Sequence, residues 1–249
     1  MGSSSKFRSF SAIFLLYFMF SALPSGMLTP LLTSLGYSSQ EIGFLFSMGA
    51  ISGIAVSALV SRFADRFRKI KPFVILAMVM SMIVIATVYS SQAASVLCFL
   101  CGIAATALSR LISSLLDSWA LESDVSVRTQ YGAIRAFGSI GFAIGLGLLV
   151  QFGDSYGYQA NLPISMGLGI LFVILLSMTA DVSPLHHTLE KPRLKALFSS
   201  DYVLWILVFF FVFFVIGVED MTITMKMLEL GASPSQIAWF YSAQALFEL

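Results

Sequence analysis

Seven stretches of this sequence run for about twenty residues each with almost no charge, which is the length that crosses the hydrocarbon core of a bilayer. They are Phe10–Leu35, Ile42–Ser61, Pro72–Tyr89, Ala93–Leu121, Tyr131–Phe152, Leu162–Ala180 and Tyr202–Met227, and an eighth opens near Ser235. In lipid every backbone polar group must be satisfied internally, and runs of this length do so as helices. Charged residues make up 11% of the chain, against roughly 25% in soluble domains. No soluble core needs so many apolar runs. The chain is therefore expected to be an all-α polytopic membrane protein. The first run follows Lys6 and Arg8, as a signal peptide would, but it exceeds the ~7–15 residues of a signal-peptide core. It reads as a retained first helix.

Lysine and arginine placement sets the orientation. Lys6 and Arg8 flank the N-terminus; Arg62, Arg66, Arg68, Lys69 and Lys71 fill the second loop; Arg128 lies in the fourth; Lys191, Arg193 and Lys195 lie in the sixth. The loops near 36–40, 91–93, 153–160 and 231–234 hold neither residue. This alternation predicts a cytoplasmic N-terminus, in a protein of the plasma membrane. Lys226 lies near an opposite end, three residues before Glu229, a spacing that allows an ion pair. A net charge of +1 offers no basis for nucleic-acid binding.

The chain also repeats itself. Leu35-Gly36-Tyr37-Ser38-Ser39-Gln40-Glu41-Ile42-Gly43-Phe44-Leu45-Phe46-Ser47 returns as Leu230-Gly231-Ala232-Ser233-Pro234-Ser235-Gln236-Ile237-Ala238-Trp239-Phe240-Tyr241-Ser242, 195 residues later. A period spanning six apolar runs is how two parallel halves read in a transporter. The expected organisation is a six-helix bundle over 1–180, a cytoplasmic linker over 181–200, and the beginning of a second half over 201–249. On that reading the chain is a fragment, inactive by itself, of a protein that is a monomer at full length.

Ionisable residues inside spans are costly and are functional candidates by default. Here they are Arg110, Asp117, Arg135, Glu219, Asp220 and Glu248. Arg110 and Asp117 are seven apart and share a helix face. Asp117 and Arg135 lie at matching depth on adjacent antiparallel runs and are expected to pair. Glu219 is a candidate proton carrier, because low dielectric favours the neutral carboxyl. Gly138, Gly141 and Gly145 form a small-residue face suited to close helix packing. Pro24, Gly26 and Pro30 are expected to bend the first helix along a cavity. Cys98 and Cys101 read as packing residues and His186 and His187 as loop residues, so neither a metal nor a cofactor is expected.

Two stretches resemble a known family. Ser61-Arg62-Phe63-Ala64-Asp65-Arg66-Phe67-Arg68-Lys69 resembles the loop signature G-x-x-x-D-[RK]-x-G-[RK]-[RK] of the major facilitator superfamily. Asp65, Arg66 and Lys69 match, whereas Ser61, Arg68 and Ile70 depart from it. Arg135-Ala136-Phe137-Gly138-Ser139-Ile140-Gly141-Phe142 resembles the R-x-F-G-x-x-G-W stretch of the lactose permease group, whose Arg pairs with an acid 18 positions earlier, where Asp117 stands. Tyr131-Gly132-Ala133-Ile134 and the residues that follow are similar to the phenylpropionate and nucleoside proton symporters.

The resemblance implies the first six-helix half of a major facilitator fold, helix seven and the start of helix eight. It implies proton-coupled uptake of a small organic solute, such as a sugar, nucleoside or aromatic acid. It assigns Asp117 and Arg135 to substrate, Glu248 to a carboxylate those groups carry in helix eight, and Asp65, Arg66 and Lys69 to a gating loop; from the residues themselves Arg110, on the face of Asp117, joins the substrate set and Glu219 joins Glu248 for protons. Three alternatives stay open: proton-driven efflux, against which the fifth run lacks the Gly-Pro motif of antiporters; a seven-helix receptor or retinal protein with Lys226 as the Schiff-base lysine; and a truncated product with no activity. None of these is an enzyme.

Overall fold

The computed structural model describes residues 3–179, 181 and 200–247. His186, His187, Glu248 and nearly all of the 181–200 linker lie outside the described residues, and so do the side chains of Glu219 and Asp220. The helices are α1 (Ser3–Ala22), α2 (Leu28–Ser34), α3 (Ser39–Phe67), α4 (Lys71–Tyr89), α5 (Val96–Leu121), α6 (Val125–Thr129), α7 (Tyr131–Tyr156), α8 (Asn161–Met178), α9 (Ser200–Glu229) and α10 (Pro234–Phe247). No strand occurs among the described residues. Among the described residues seven segments have the length and composition to cross a membrane: Lys6–Ser34, Ser39–Phe67, Lys71–Tyr89, Val96–Leu121, Tyr131–Gly153, Tyr158–Met178 and Tyr202–Glu229.

The chain divides into two compact units, Met1–Pro184 with Ser233–Leu249, and Leu185–Ala232. In the first unit, α1 packs chiefly on α7, α3 and α4 pack on α5, and α10 packs on α7. Its core is aromatic: Phe14, Tyr17, Phe20, Tyr89, Trp119 and Phe172 are fully buried. The second unit contains α9, whose stretch from Tyr202 to Val218 carries no charge and holds a ladder of rings, Trp205 on Phe209 and Phe209 on Phe213. There Lys226 pairs with Glu229 at 3.0 Å, as the spacing suggested.

Local hydrogen bonds show why the helices of the first unit alternate. At one end the Lys6 ammonium donates to Asp124 at 2.6 Å. At that same end Lys71 Nζ caps the carbonyls of Ser177 and Thr179 at 2.8 and 2.7 Å. At the other end the Tyr37 hydroxyl donates to the Ser95 carbonyl at 2.6 Å and accepts from the Ser95 amide at 2.9 Å. Gln159 donates to the Ser91 carbonyl at 3.2 Å, also at that end. The lysine- and arginine-rich termini thus gather at one end of the bundle, the basic end, and the loops free of them at the far end.

Lys6 holds the Asp124 carboxyl below the ordinary carboxylate range by hydrogen bonding and by charge. Because this value is lowered in the folded state, the pair contributes at neutral pH. Its contribution is lost as pH falls through the lowered value.

The repeat folds as a repeated local device. At the first copy Gly36 takes φ 94°, its amide donates to Thr33 and that of Tyr37 to Leu32. Ser38 then caps α3 reciprocally with Glu41: Ser38 N to Glu41 Oε2 at 2.8 Å, and Glu41 N to Ser38 Oγ at 3.3 Å. At the second copy Gly231 takes φ 78°, with amide bonds to Leu228 and, from Ala232, to Met227. Ser233 and Gln236 form the matching cap of α10 at 2.8 and 3.3 Å. A left-handed glycine ends one helix and a capping box begins the next.

Two expectations about spans need correction. The second run was read as ending at Ser61 with a loop over 62–71, but α3 continues through Phe67 and the turn is only three residues long. Charges outside the hydrocarbon core do not stop a helix; the stop is a left-handed residue. Arg68 sits at φ 55° and ψ 37°, with the Arg68 amide bonded to Asp65 O and the Lys69 amide to Ala64 O. Arg68 thus stands where the family signature carries glycine, in the conformation that favours glycine. A left-handed non-glycine residue costs about 1–2 kcal/mol, so Arg68→Gly is expected to stabilise the protein by about 1 kcal/mol. Thermal unfolding in detergent measures this; an unchanged or lower midpoint would contradict it. The fourth span starts at Val96, because Ser95, clamped by Tyr37, caps it there.

Candidate functional site

The first membrane segment is broken by a π-helical turn, Leu23–Met27, that contains Pro24 and Gly26. The buried Tyr89 hydroxyl reaches the Leu23 carbonyl in this turn at 3.4 Å. Gly26 lies where a Cβ would collide with the Leu146 side chain of α7. The small face of α7 lies against α1 along its length. A Cβ at Gly138 would fall 2.7 Å from Phe18, one at Gly141 would collide with the Leu15 carbonyl, and one at Gly145 would fall 2.5 Å from the Met19 carbonyl. The glycine face is therefore a packing seam.

That seam brings charged and aromatic groups of α1, α5 and α7 together near the basic end. Asp117, half-buried on α5, accepts a hydrogen bond from the Tyr131 hydroxyl at 2.8 Å. Arg135 stands one turn beyond Tyr131 on the same face of α7. Its guanidinium carbon lies 4.3 Å from the centre of the Phe18 ring, a cation–π geometry. Gly138 makes room for it, since a Cβ there would fall 2.9 Å from Arg135 Nη1. Phe14 meets Tyr131 edge-on with ring centres 6.4 Å apart. Tyr17, buried beside Phe18, donates to the Ser109 carbonyl at 2.5 Å.

The expected direct ion pair between Asp117 and Arg135 is not formed in this conformation. Among the described residues the ion pairs within 4 Å are Lys6–Asp124 and Lys226–Glu229. Tyr131 hydrogen-bonds the carboxylate, and the guanidinium carbon of Arg135 lies over the Phe18 ring. The five donors of Arg135 have no hydrogen-bond acceptor among the described residues, although the side chain is half-buried. Such a group favours an incoming acceptor.

Arg110 is not gathered into this cluster. It is exposed on α5, with its aliphatic part over Gly53 of α3. Asp65, Arg66 and Lys69 are exposed at the end of α3 and in the turn after it. Glu219 lies on α9, with its side chain undescribed, and Glu248 lies outside the described residues. Cys98 and Cys101 are free thiols, and no group of three metal-binding side chains occurs among the described residues. Phe14, Tyr17, Phe18 and Tyr131 were missed as partners of the charged residues. The signal available was their helical spacing: Phe14 and Phe18, like Tyr131 and Arg135, are four apart.

Residues 9–249 match the MFS_1 like family. The chain belongs to that family. No curated protein matches the sequence. Among solved structures, the MFS_1 like chain is similar to the nucleoside transporter NupG, with a TM-score of 0.66 and 17% identity. The match covers 88% of this chain and 55% of that one. At this identity the likeness concerns the fold, an all-helical membrane architecture. The chain thus spans about half the length of the nucleoside transporter it matches.

Proposed function

We propose that this chain carries the N-terminal half of a secondary transporter that takes up a small organic solute with protons by alternating access. The observation that supports this most is the half-buried guanidinium of Arg135, over the Phe18 ring with no acceptor among the described residues, one turn from Tyr131, which holds the Asp117 carboxylate. A planar five-donor fork in that setting suits a solute with paired acceptor oxygens, as in a sugar, a nucleoside or a carboxylate. The half-buried ring of Phe18 suits one apolar or ring face of the same solute, with the buried Phe14 and Tyr17 packed behind it. Asp117 and Arg135 are the substrate residues in this account; Arg110, exposed over Gly53 of α3, stands outside it. Glu219 and Glu248 are the proton carriers. The glycine-packed α1–α7 seam and the π turn in the first membrane segment supply rigid and bendable elements side by side.

The orientation proposed is a cytoplasmic basic end, in the plasma membrane. Its test is single-cysteine labelling in intact cells. An impermeant reagent is expected to leave cysteines at positions 66 and 69 unmodified and to label one at 159. Labelling at 66 from outside would reverse the orientation.

The α3–α4 corner is proposed as a gate, in which Asp65 acts on the equilibrium between inward- and outward-open states. A charge that biases a state equilibrium leaves the intrinsic solute contacts alone. Asp65→Asn is therefore expected to slow conformational exchange, read by single-molecule distance measurements, with solute affinity largely kept. Loss of binding at unchanged exchange rates would remove Asp65 from that role.

Transport itself is tested by reconstituting the full-length protein in vesicles. Solute uptake is expected to rise with an imposed inward proton gradient. Uptake that ignores the gradient would exclude proton coupling, and export under an inward gradient would favour the efflux reading.

A further inference from the structure

Tyr131 is the first residue of α7, and its hydroxyl reaches back to the Asp117 carboxylate on α5 at 2.8 Å. Other donors of the neighbourhood are committed elsewhere: the Tyr17 hydroxyl donates to the Ser109 carbonyl, and Lys6 pairs with Asp124. Arg135 is different. It stands one turn beyond Tyr131 on the same face of α7, and its charge is felt at Asp117. Yet its guanidinium carbon lies 4.3 Å from the centre of the Phe18 ring, and the ion pairs within 4 Å among the described residues do not include it. An arginine side chain swings on several torsions, so the place over Phe18 is a choice between a ring and a carboxylate. The charge-assisted bond from Tyr131 tips that choice, because it satisfies Asp117. Without it a half-buried carboxylate would lack a donor beside a cation that lacks an acceptor.

We propose that Tyr131 is a positioning residue: its hydroxyl holds the Asp117 carboxylate off Arg135 and so keeps the guanidinium donors open to an incoming acceptor. This rests on the reading that those donors take the solute. Tyr131→Phe removes the hydroxyl alone. It keeps the ring and its edge contact with Phe14, whose ring centre lies 6.4 Å away. The carboxylate then turns to Arg135, the cation on the adjoining turn. Attraction between the two charges is stronger in a half-buried site than in water. Asp117 is expected to close onto Arg135, and a closed pair presents fewer donors to a solute. The direction of this change is diagnostic. A hydroxyl that only tied α5 to α7 would, on removal, loosen the corner and uncover Arg135 further.

The test treats the full-length protein in detergent with phenylglyoxal, which attacks the neutral guanidine, and maps the modified arginines by mass spectrometry. A carboxylate in contact disfavours that neutral form and covers the edge of the group. In the parent, Arg135 is expected to react. Tyr131→Phe is expected to slow its modification about fivefold and to leave that of the exposed Arg128 unchanged. Adding Asp117→Asn to Tyr131→Phe removes the competing charge and is expected to restore the parent rate to within about twofold. An Arg135 that does not react in the parent would overturn the proposal. So would an unchanged or faster rate in Tyr131→Phe, or a slowing that Asp117→Asn does not reverse. Binding of radiolabelled nucleosides, sugars and aromatic acids is measured on the same variants, and the solute bound best is expected to bind Tyr131→Phe about tenfold more weakly. A slowing rescued by Asp117→Asn, with solute binding unchanged, would leave Tyr131 in its role and remove the solute from Arg135, so the two readings fail separately.

Discussion

Gly141→Leu is expected to abolish stable folding of the first unit. The contact that a side chain at 141 would meet is the Leu15 carbonyl, a backbone atom in the middle of α1, which cannot rotate away. The α1–α7 pairing is also the most extensive helix contact in the unit. Overpacking a core costs about 1–3 kcal/mol and more where the neighbour is backbone, so a loss of about 3 kcal/mol is expected. Gly147, on the same helix, has open space where its Cβ would stand. Gly147→Leu is accordingly expected to fold, with a small gain from helix propensity. The monodisperse yield of each variant in detergent measures the difference. Equal yields would show that the seam can open, and the rigid placement of Tyr131 and Arg135 against α1 would lose its basis.

Spans were legible because twenty apolar residues in a row have few alternatives in lipid. Their ends were less so. A hydropathy window sees Arg62, Asp65 and Arg66 as the end of a helix, whereas the α3 backbone continues to Phe67 and stops for a conformational reason at Arg68. The repeat was visible as matched letters. Its physical content, a glycine stop followed by a reciprocal serine cap, was present in Ser38-x-x-Glu41 and Ser233-x-x-Gln236, a pattern readable in any chain.

The candidate site was half legible. Arg135 and Asp117 stood out because charges in a span are rare. Their mutual pairing did not follow from depth alone, because Tyr131 and Phe18 compete for the two groups and nothing in a one-dimensional pattern weighs an aromatic ring against a carboxylate. Arg110 shares a face with Asp117 on α5, yet it lies over Gly53 on α3. Helix periodicity orders residues on one cylinder and leaves open which neighbour each level of that cylinder meets.

The central claim is that Asp117 and Arg135 bind the transported solute. Arg135→Lys keeps the charge and removes the planar five-donor fork that lies over Phe18. Asp117→Asn keeps an acceptor for Tyr131 and removes the negative charge beside the cluster. The deciding measurement is equilibrium binding of radiolabelled nucleosides, sugars and aromatic acids to the purified full-length protein and to these two variants. For the solute bound best, each substitution is expected to weaken binding by at least about tenfold, or about 1.4 kcal/mol, with the protein still folded. Binding held within about threefold, or ~0.7 kcal/mol, in both variants would make the two residues part of the helix packing and contradict the account.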